Sequence, residues 1–274
     1  KVVLIKVPKT LSLLQYQLCR LRAVIDADTV VVGAGMTRDV HTSTIKAFES
    51  MIGPTTTSLA RKKARLIFSQ VDQNIEHNQP AELEIFRTPE LEFELHEYPG
   101  IFSRGKLDNG TRLLLENLPE VEPGSRVVDL GCGSGVLGLT IVQRQATAKV
   151  EFIDESYLAV ASARESWSQM KGPYAQARFT VAHGLSTAEH KTIDLVLCNP
   201  PFHQGRAMGD HLAWAMFTQA HRALKPGGEL RIVGNRHLGY HTSLKRIFGH
   251  CTTIASNRKF VVLSARRRNE GGPS

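Results

Sequence analysis

Apolar positions along the chain change period several times. Leu11, Leu14, Leu18, Leu21 and Ile25 recur at helical spacing and predict a helix over 11–24. It sits between β-branched runs that predict strands over 2–7 and 29–33; a helix over 43–51 and a strand over 59–71 follow. Between 80 and 98 the period drops to two. Leu83, Ile85, Leu91, Phe93 and Leu95 alternate with polar residues around an Arg87-Thr88-Pro89-Glu90 turn, which predicts a β-hairpin. Beyond it, helices over 107–118, 136–145, 158–170, 212–224 and 242–248 are interleaved with strands over 126–130, 149–153, 178–182, 195–198, 229–233 and 258–264. This succession predicts the α/β class, with a parallel, doubly wound, Rossmann-like sheet.

Part of the pattern occurs twice. His41-Thr42-Ser43 returns as His241-Thr242-Ser243, and Phe48 returns as Phe248, at an offset of 200 (241 − 41). Val31-Val32-Gly33 matches Ile232-Val233-Gly234, and Leu4-Ile5-Lys6-Val7-Pro8 lines up with Val196-Leu197-Cys198-Asn199-Pro200. Such collinear matches predict a duplicated domain whose first copy enters at its fourth strand, so the chain reads as a fragment that opens on an edge strand. The expected division is a degenerate half-copy over 1–78, a linking hairpin over 79–97, a complete domain over 98–268 and a disordered tail over 269–274.

Composition narrows the class. Of the 274 residues, 42% are hydrophobic and 22% charged, the mix of a globular protein with a sizeable core. No run approaches the ~18 apolar residues of a membrane span. The four cysteines, Cys19, Cys132, Cys198 and Cys251, form no CxxC pair, which speaks against a disulfide scaffold or structural zinc and fits the cytoplasm. Lys and Arg number 34 against 26 Asp and Glu, a net +8 that attracts polyanions. Arg61, Lys62, Lys63 and Arg65 form one basic cluster; Lys245, Arg246, Arg258, Lys259, Arg266, Arg267 and Arg268 crowd the C-terminal end.

Candidate chemistry begins where the strand over 126–130 meets its helix. Asp129 precedes three glycines spaced by two, Gly131, Gly133 and Gly135. Glycines there permit a sharp turn and let a ligand approach main-chain N–H groups at the helix start. The run 133–138 also satisfies the GxGxxG dinucleotide pattern, which keeps a nicotinamide enzyme open. Asp154 falls at the end of the next strand, where an acid can accept both ribose hydroxyls, and this points to a nucleoside without naming it. The Asp-x-Gly-x-Gly-x-Gly arrangement resembles motif I of class I S-adenosylmethionine-dependent methyltransferases. That resemblance implies a glycine backbone lining the cofactor's amino-acid end and an acid orienting its ammonium.

A second element separates the two cofactors. The apolar strand over 195–198 ends in Asn199-Pro200-Pro201-Phe202, in the crevice where open α/β sheets bind ligands. The Asn199 side-chain oxygen and the Pro200 carbonyl can accept both N–H bonds of one exocyclic amino group, Pro201 stiffens the turn, and Phe202 offers a stacking face. An aromatic amine delocalises its lone pair and is a poor nucleophile. Two fixed acceptors favour a pyramidal nitrogen and stabilise the positive charge that grows on it. This segment resembles motif IV of amino-group methyltransferases and has no use in a dehydrogenase. Adenine, guanine N2 and a protein glutamine amide remain open as acceptors.

The run Pro99-Gly100-Ile101-Phe102-Ser103-Arg104, then Leu107-Asp108-Asn109-Gly110, the glycine loop, Asp154-Glu155-Ser156, Asn199-Pro200-Pro201-Phe202-His203-Gln204 and Ala255-Ser256-Asn257-Arg258-Lys259-Phe260 together resemble the bacterial ribosomal RNA guanine-N2 methyltransferases over essentially the whole chain. The likeness is greater to large-subunit than to small-subunit members, which implies 23S ribosomal RNA as partner, with 16S ribosomal RNA as the near alternative. Protein glutamine or DNA adenine methylation, and a non-catalytic RNA-binding role, stand further off. The resemblance implies a seven-stranded, doubly wound methyltransferase domain preceded by part of a degenerate copy that recognises RNA, S-adenosylmethionine as cofactor with no metal, and a cytoplasmic monomer. Catalysis then falls to Asn199, Pro200, Pro201 and Phe202. Cofactor contacts fall to Asp129, Gly131, Cys132, Gly133, Gly135, Asp154, Glu155, His183 and Asn199, with His183 contributing its backbone where relatives often carry Asn or Asp. Arg61, Lys62, Lys63, Arg266, Arg267 and Arg268 are the candidate phosphate contacts. Trp214 is expected in the core, His41 and His241 as helix caps or core groups, and the Cys132 and Cys198 thiols as small fillers.

Overall fold

The computed structural model describes residues 1–75, 83–186, 188–201 and 206–268. Phe202, His203 and Gln204, positions 79–82 of the expected hairpin, and the tail over 269–274 lie outside the described residues. The chain divides into two units, Lys1–Leu83 and Glu84–Ser274.

The first unit runs β1 (Val2–Lys6), α1 (Leu11–Arg22), β2 (Val30–Met36), α2 (Thr42–Met51), β3 (Thr55–Thr57) and β4 (Ala64–Gln70). Its sheet has the order β1-β2-β4-β3; β1 and β2 are parallel and the other pairs antiparallel. The helical stripe turns Leu14 and Leu18 inward, against Val7, Val31, Phe48, Ile52 and Ile67. The strand expected over 59–71 is shorter: it is β4 alone, which starts at Ala64, and the separate strand β3 ends before it at Thr57. Leu59 is exposed, and the chain turns back through Lys62 and Lys63, both at positive φ, before β4 begins. One apolar residue in a tight turn imitated a strand start.

The second unit opens with β5 (Glu84–Phe86) and β6 (Leu95–Glu97). This short antiparallel pair does not stand between the units as a linker. It docks on the second one, where the His96 and Tyr98 N–H groups donate to Ser166 and Ser162 hydroxyls on a helix of that unit. There follow α3 (Asn109–Glu116), β7 (Arg126–Leu130), α4 (Val136–Arg144), β8 (Lys149–Asp154), α5 (Tyr157–Gln169), β9 (Arg178–Val181), β10 (Ile193–Cys198), α6 (Arg206–Ala223), β11 (Leu224–Asn235), a 3-10 turn at Arg236–Leu238, α7 (Tyr240–Phe248), β12 (Thr252–Ser256) and β13 (Phe260–Arg266). The seven-stranded order is β12-β13-β11-β10-β7-β8-β9, with β13 antiparallel to both its neighbours and the strands from β11 to β9 mutually parallel.

Alternation along each strand feeds two cores. In β10, Val196 and Cys198 face α6 and α7, while Leu195 and Leu197 face the side of α3, α4 and α5. The pattern left β12 unpredicted because Thr252, Thr253 and Ile254 are exposed on an edge strand. The strand expected from Arg258 starts at Phe260, after a turn in which the Asn257 side-chain oxygen accepts the Lys259 and Phe260 N–H groups at 2.9 and 2.8 Å.

Strand order exposes the repeat. The series β10-β11-β13-β12 runs parallel, antiparallel, antiparallel, as β1-β2-β4-β3 does, and the intervening helices match in sequence order. His41 is the N-cap of α2, whereas the cap of α7 is Gly239 and His241 lies inside that helix, exposed.

Candidate active site

Three neighbouring parallel strands deliver the predicted residues to one edge. Cys198 pairs with Leu130, and Leu130 with Ile153. The next positions, Asn199, Gly131 and Asp154, therefore leave the sheet side by side at strand spacing, ~4.8 Å apart.

The glycine loop separates packing from access. Gly131, Gly133 and Gly135 all have positive φ. A Cβ on Gly135 would press on Ala163 and Phe152, and one on Gly138 would collide with Phe152; these two let α4 lie close to the sheet. A Cβ on Gly133 would meet nothing within 4 Å, so its backbone faces open space. That is where a ligand can approach main-chain groups.

Acids surround this loop. Asp129 is buried; one carboxylate oxygen accepts the Gly138 N–H at 2.9 Å, and the other is buried with no hydrogen-bond partner among the described residues. Burial pushes its pKa from 3.8 up to about 7. Asp154 accepts from the Gly133 and Ser156 N–H groups at 3.1 and 2.9 Å, and burial raises its pKa as well. Glu97, which accepts from Gly105 N–H at 2.7 Å, is raised by the same cause. Three acids held in low dielectric beside an open glycine backbone form a site for a cationic group. S-adenosylmethionine fits: its sulfonium and ammonium answer the buried negative charge, and its ribose hydroxyls suit Asp154. The Cys132 and Cys198 thiols are pushed well above their usual range by burial and stay protonated, as fillers.

At the amine subsite, the Asn199 NH2 donates to the Thr111 hydroxyl at 2.9 Å and lies 3.5 Å from Asp108 Oδ2. Its carbonyl oxygen is buried with no partner among the described residues. Pro200 is buried and Pro201 exposed. Asp108 caps α3 by accepting from the Gly110 and Thr111 N–H groups.

The remaining candidates divide. His183 is 89% exposed, with its ring 3.4 Å from the Glu155 carboxylate, so its side chain points to solvent. Arg61, Lys62 and Lys63 are exposed on the turn between β3 and β4. Arg266 and Arg267 are not placed to reach a ligand at this edge. Because β13 is antiparallel to β11, its C-terminal end lies at the amino edge of the parallel strands, opposite Asn199. There Arg266 pairs with buried Glu229 at 2.7 Å, and Arg267 donates to the carbonyls of His221, Arg222 and Leu224 at the end of α6. Arg268, two residues beyond β13, shares that edge. The basic residues at the correct edge are Arg236, Arg258 and Lys259, all exposed. Register arguments find them, since Asn235 pairs with Phe260 beside the site; clustering in sequence did not. Trp214 is not a core residue: it lines a cavity of about 450 Å³ with His211, Leu238, Tyr240, Ser243 and Arg246.

The methyltransferase small-domain family matches residues 92–264, and the RLMG N-terminal domain matches residues 1–73. The ribosomal RNA large subunit methyltransferase G of Yersinia pestis (strain Pestoides F) is 46% identical over 279 aligned residues, covering 100% of this chain and 70% of that protein. The chain belongs to the ribosomal RNA large subunit methyltransferase G family. The family member from Yersinia enterocolitica has the same identity and coverage. Among solved structures, the T. thermophilus 16S rRNA N2 G1207 methyltransferase, in complex with AdoMet and guanosine, matches 97% of this chain and 73% of its own, with a TM-score of 0.85 and 25% identity. The second unit of this family member is an S-adenosylmethionine-dependent methyltransferase domain.

Proposed function

We propose that the protein methylates the exocyclic N2 amine of a guanine in 23S ribosomal RNA. The observation that carries this reading is the Asn199 carbonyl oxygen, buried, without a hydrogen-bond partner among the described residues, and one residue beyond the strand that borders the glycine loop. The names of the relatives, which act on ribosomal RNA, support the substrate class.

When bound, S-adenosylmethionine supplies an electrophilic methyl group and leaves as S-adenosylhomocysteine. The chain's part is to hold the amine. Asn199 Oδ1 and the Pro200 carbonyl accept its two N–H bonds and favour a pyramidal nitrogen whose lone pair faces the methyl group. The same acceptors stabilise positive charge as the new N–C bond forms. The proton that the nitrogen then loses is acidic enough to leave to water without a strong base. Asp154 takes the ribose, and the Gly131 to Gly135 backbone borders the amino-acid end. Phe202 provides the stacking face for a base splayed out of a loop or single strand. The first unit has Val7 where Asn199 stands in the second, so it serves as an RNA-recognition copy; Arg61, Lys62 and Lys63 grip phosphates there, joined in the catalytic unit by Arg236, Arg258 and Lys259.

Transfer of radiolabelled methyl groups to unmodified 23S transcripts, 16S transcripts and glutamine-containing peptides tests this. Label on guanine N2 of the 23S RNA, lost in Asn199→Ala, is the expected result. Label on 16S RNA alone would move the substrate to the small subunit, and label on peptide would overturn the proposal.

A further inference from the structure

An asparagine amide has two nearly isosteric orientations, and which of them faces the crevice decides whether the site offers an acceptor or a donor. At Asn199 the surroundings choose. The NH2 end donates to Thr111 Oγ1 at 2.9 Å and lies 3.5 Å from Asp108 Oδ2. That Asp108 oxygen is itself fixed, accepting from Gly110 N–H at 2.9 Å and Thr111 N–H at 3.0 Å. The arrangement depends on Gly110, where a Cβ would stand 2.9 Å from Asp108 Oδ2 and 3.1 Å from the Phe260 ring. Turning the Asn199 amide over would set its carbonyl oxygen against the carboxylate of Asp108, acceptor against acceptor, and lose the Nδ2 contact to that carboxylate.

From this geometry we infer that Thr111 and Asp108 are positioning residues. They hold the Asn199 amide so that Oδ1, and not Nδ2, faces the substrate, and they thereby make the site select a base with an exocyclic amine. The inference rests on the proposed amine methylation and adds to it the reason for the choice. A carbonyl oxygen buried with no partner among the described residues loses its hydrogen bond unless the incoming group brings an N–H. A purine bearing an amine at C2 satisfies it. Hypoxanthine, with hydrogen in that place, leaves it unpaired. Neither Thr111 nor Asp108 touches the reacting nitrogen in this scheme; both act through Asn199.

The test uses the full chain with three substitutions. Thr111→Val keeps the shape and removes the hydroxyl, Thr111→Ser keeps the hydroxyl, and Asp108→Asn keeps an oxygen to cap α3 while offering a donor toward Asn199. Three quantities are measured: the single-turnover rate on 23S RNA, the S-adenosylmethionine dissociation constant, and the ratio of guanosine to inosine affinity in competition with S-adenosylhomocysteine present. Thr111→Val is expected to lower the rate 10- to 100-fold, leave cofactor affinity within about twofold, and erase the preference for guanosine; Thr111→Ser restores most of both. Asp108→Asn is expected to lose the preference with little change in melting temperature. The inference is overturned if Thr111→Val retains the wild-type rate and guanosine preference. It is equally overturned if rate, cofactor affinity and melting temperature fall together without rescue by serine, the mark of a merely structural role. If the wild type labels no RNA but still prefers guanosine, and Thr111→Val loses that preference, the proposed substrate fails and the clamp stands. A wild type with no preference removes the clamp itself.

Discussion

The first unit and the β10-to-β13 half of the second share a strand–helix–strand–helix–strand–strand order with the same directions, yet β1 is followed by Val7 and β10 by Asn199. Val7 is buried among Val40, Leu14 and the rest of its core, with its N–H donated to the Ala34 carbonyl. Asn199 has one end held by α3 and the other without a hydrogen-bond partner among the described residues. The comparison shows that the sheet edge is a neutral scaffold. A residue there becomes chemical only if neighbouring elements leave one of its polar atoms unsatisfied, and that unsatisfied atom costs stability which a buried valine would not.

The largest effect should follow from making the second unit resemble the first. Asn199→Ala is expected to slow methyl transfer about 100- to 1,000-fold, roughly 2.7–4 kcal/mol of barrier, with cofactor binding by calorimetry little changed. The reverse exchange, Val7→Asn, buries an amide without partners. It should lower folding stability by about 1–3 kcal/mol in denaturant titrations while the bound-cofactor affinity stays the same. Equal behaviour of the two asparagines would break the comparison.

Where the glycine loop runs into α4, Gly138→Ala should destabilise the protein by roughly 1–3 kcal/mol through overpacking on Phe152, which thermal melts would reveal. Gly133→Ala, with free space but positive φ, should cost about 1 kcal/mol of stability and weaken S-adenosylmethionine binding instead. A loop that lost stability equally at both positions would not be divided between packing and access.

Asp129 adds a pH signature that the first unit has no counterpart for. Its folded pKa of about 7 lies above the unfolded 3.8, so the cofactor-free folded state binds the extra proton between those values. Stability is then full near pH 4 and lost as pH rises through 7. Asp154 and Glu97 are raised in the same direction and share the slope. Melting temperatures from pH 4 to 8 should fall in the wild type and fall less in Asp129→Asn.

The smallest effects concern the basic turns, which occupy matching positions between the last two strands of each unit. Lys62→Ala and Lys259→Ala should each weaken RNA binding a few-fold and reduce the slope of log affinity against log salt by about 1. Arg267→Ala, at the opposite edge, should lower the melting temperature and leave that slope unchanged.

Residues whose neighbours are close in sequence were legible without coordinates. Helices α1, α4 and α5 follow from their apolar periods, and the loop from Asp129 to Gly135 and the Asn199-Pro200-Pro201 turn follow from short motifs, because a local backbone conformation demands those residue types. Strand β12 was not legible: an edge strand of exposed threonines carries no apolar alternation. The arginines at the end of β13 cluster along the chain, but their place at the edge opposite Asn199 was not legible, because a field acts through space and strand direction is not written in a charge cluster.

By itself, then, the sequence determined the α/β class and the repeat, through the order of its elements, and marked the glycine loop and the Asn-Pro-Pro turn as candidates through short runs of consecutive residues. Only the tertiary structure decided which basic residues share the edge with Asn199, since an antiparallel β13 carries Arg266 to one end of the sheet and Lys259 to the other. It also decided which end of the Asn199 amide is free. Thr111 stands 88 positions away in the chain, and only folding brings its hydroxyl to 2.9 Å.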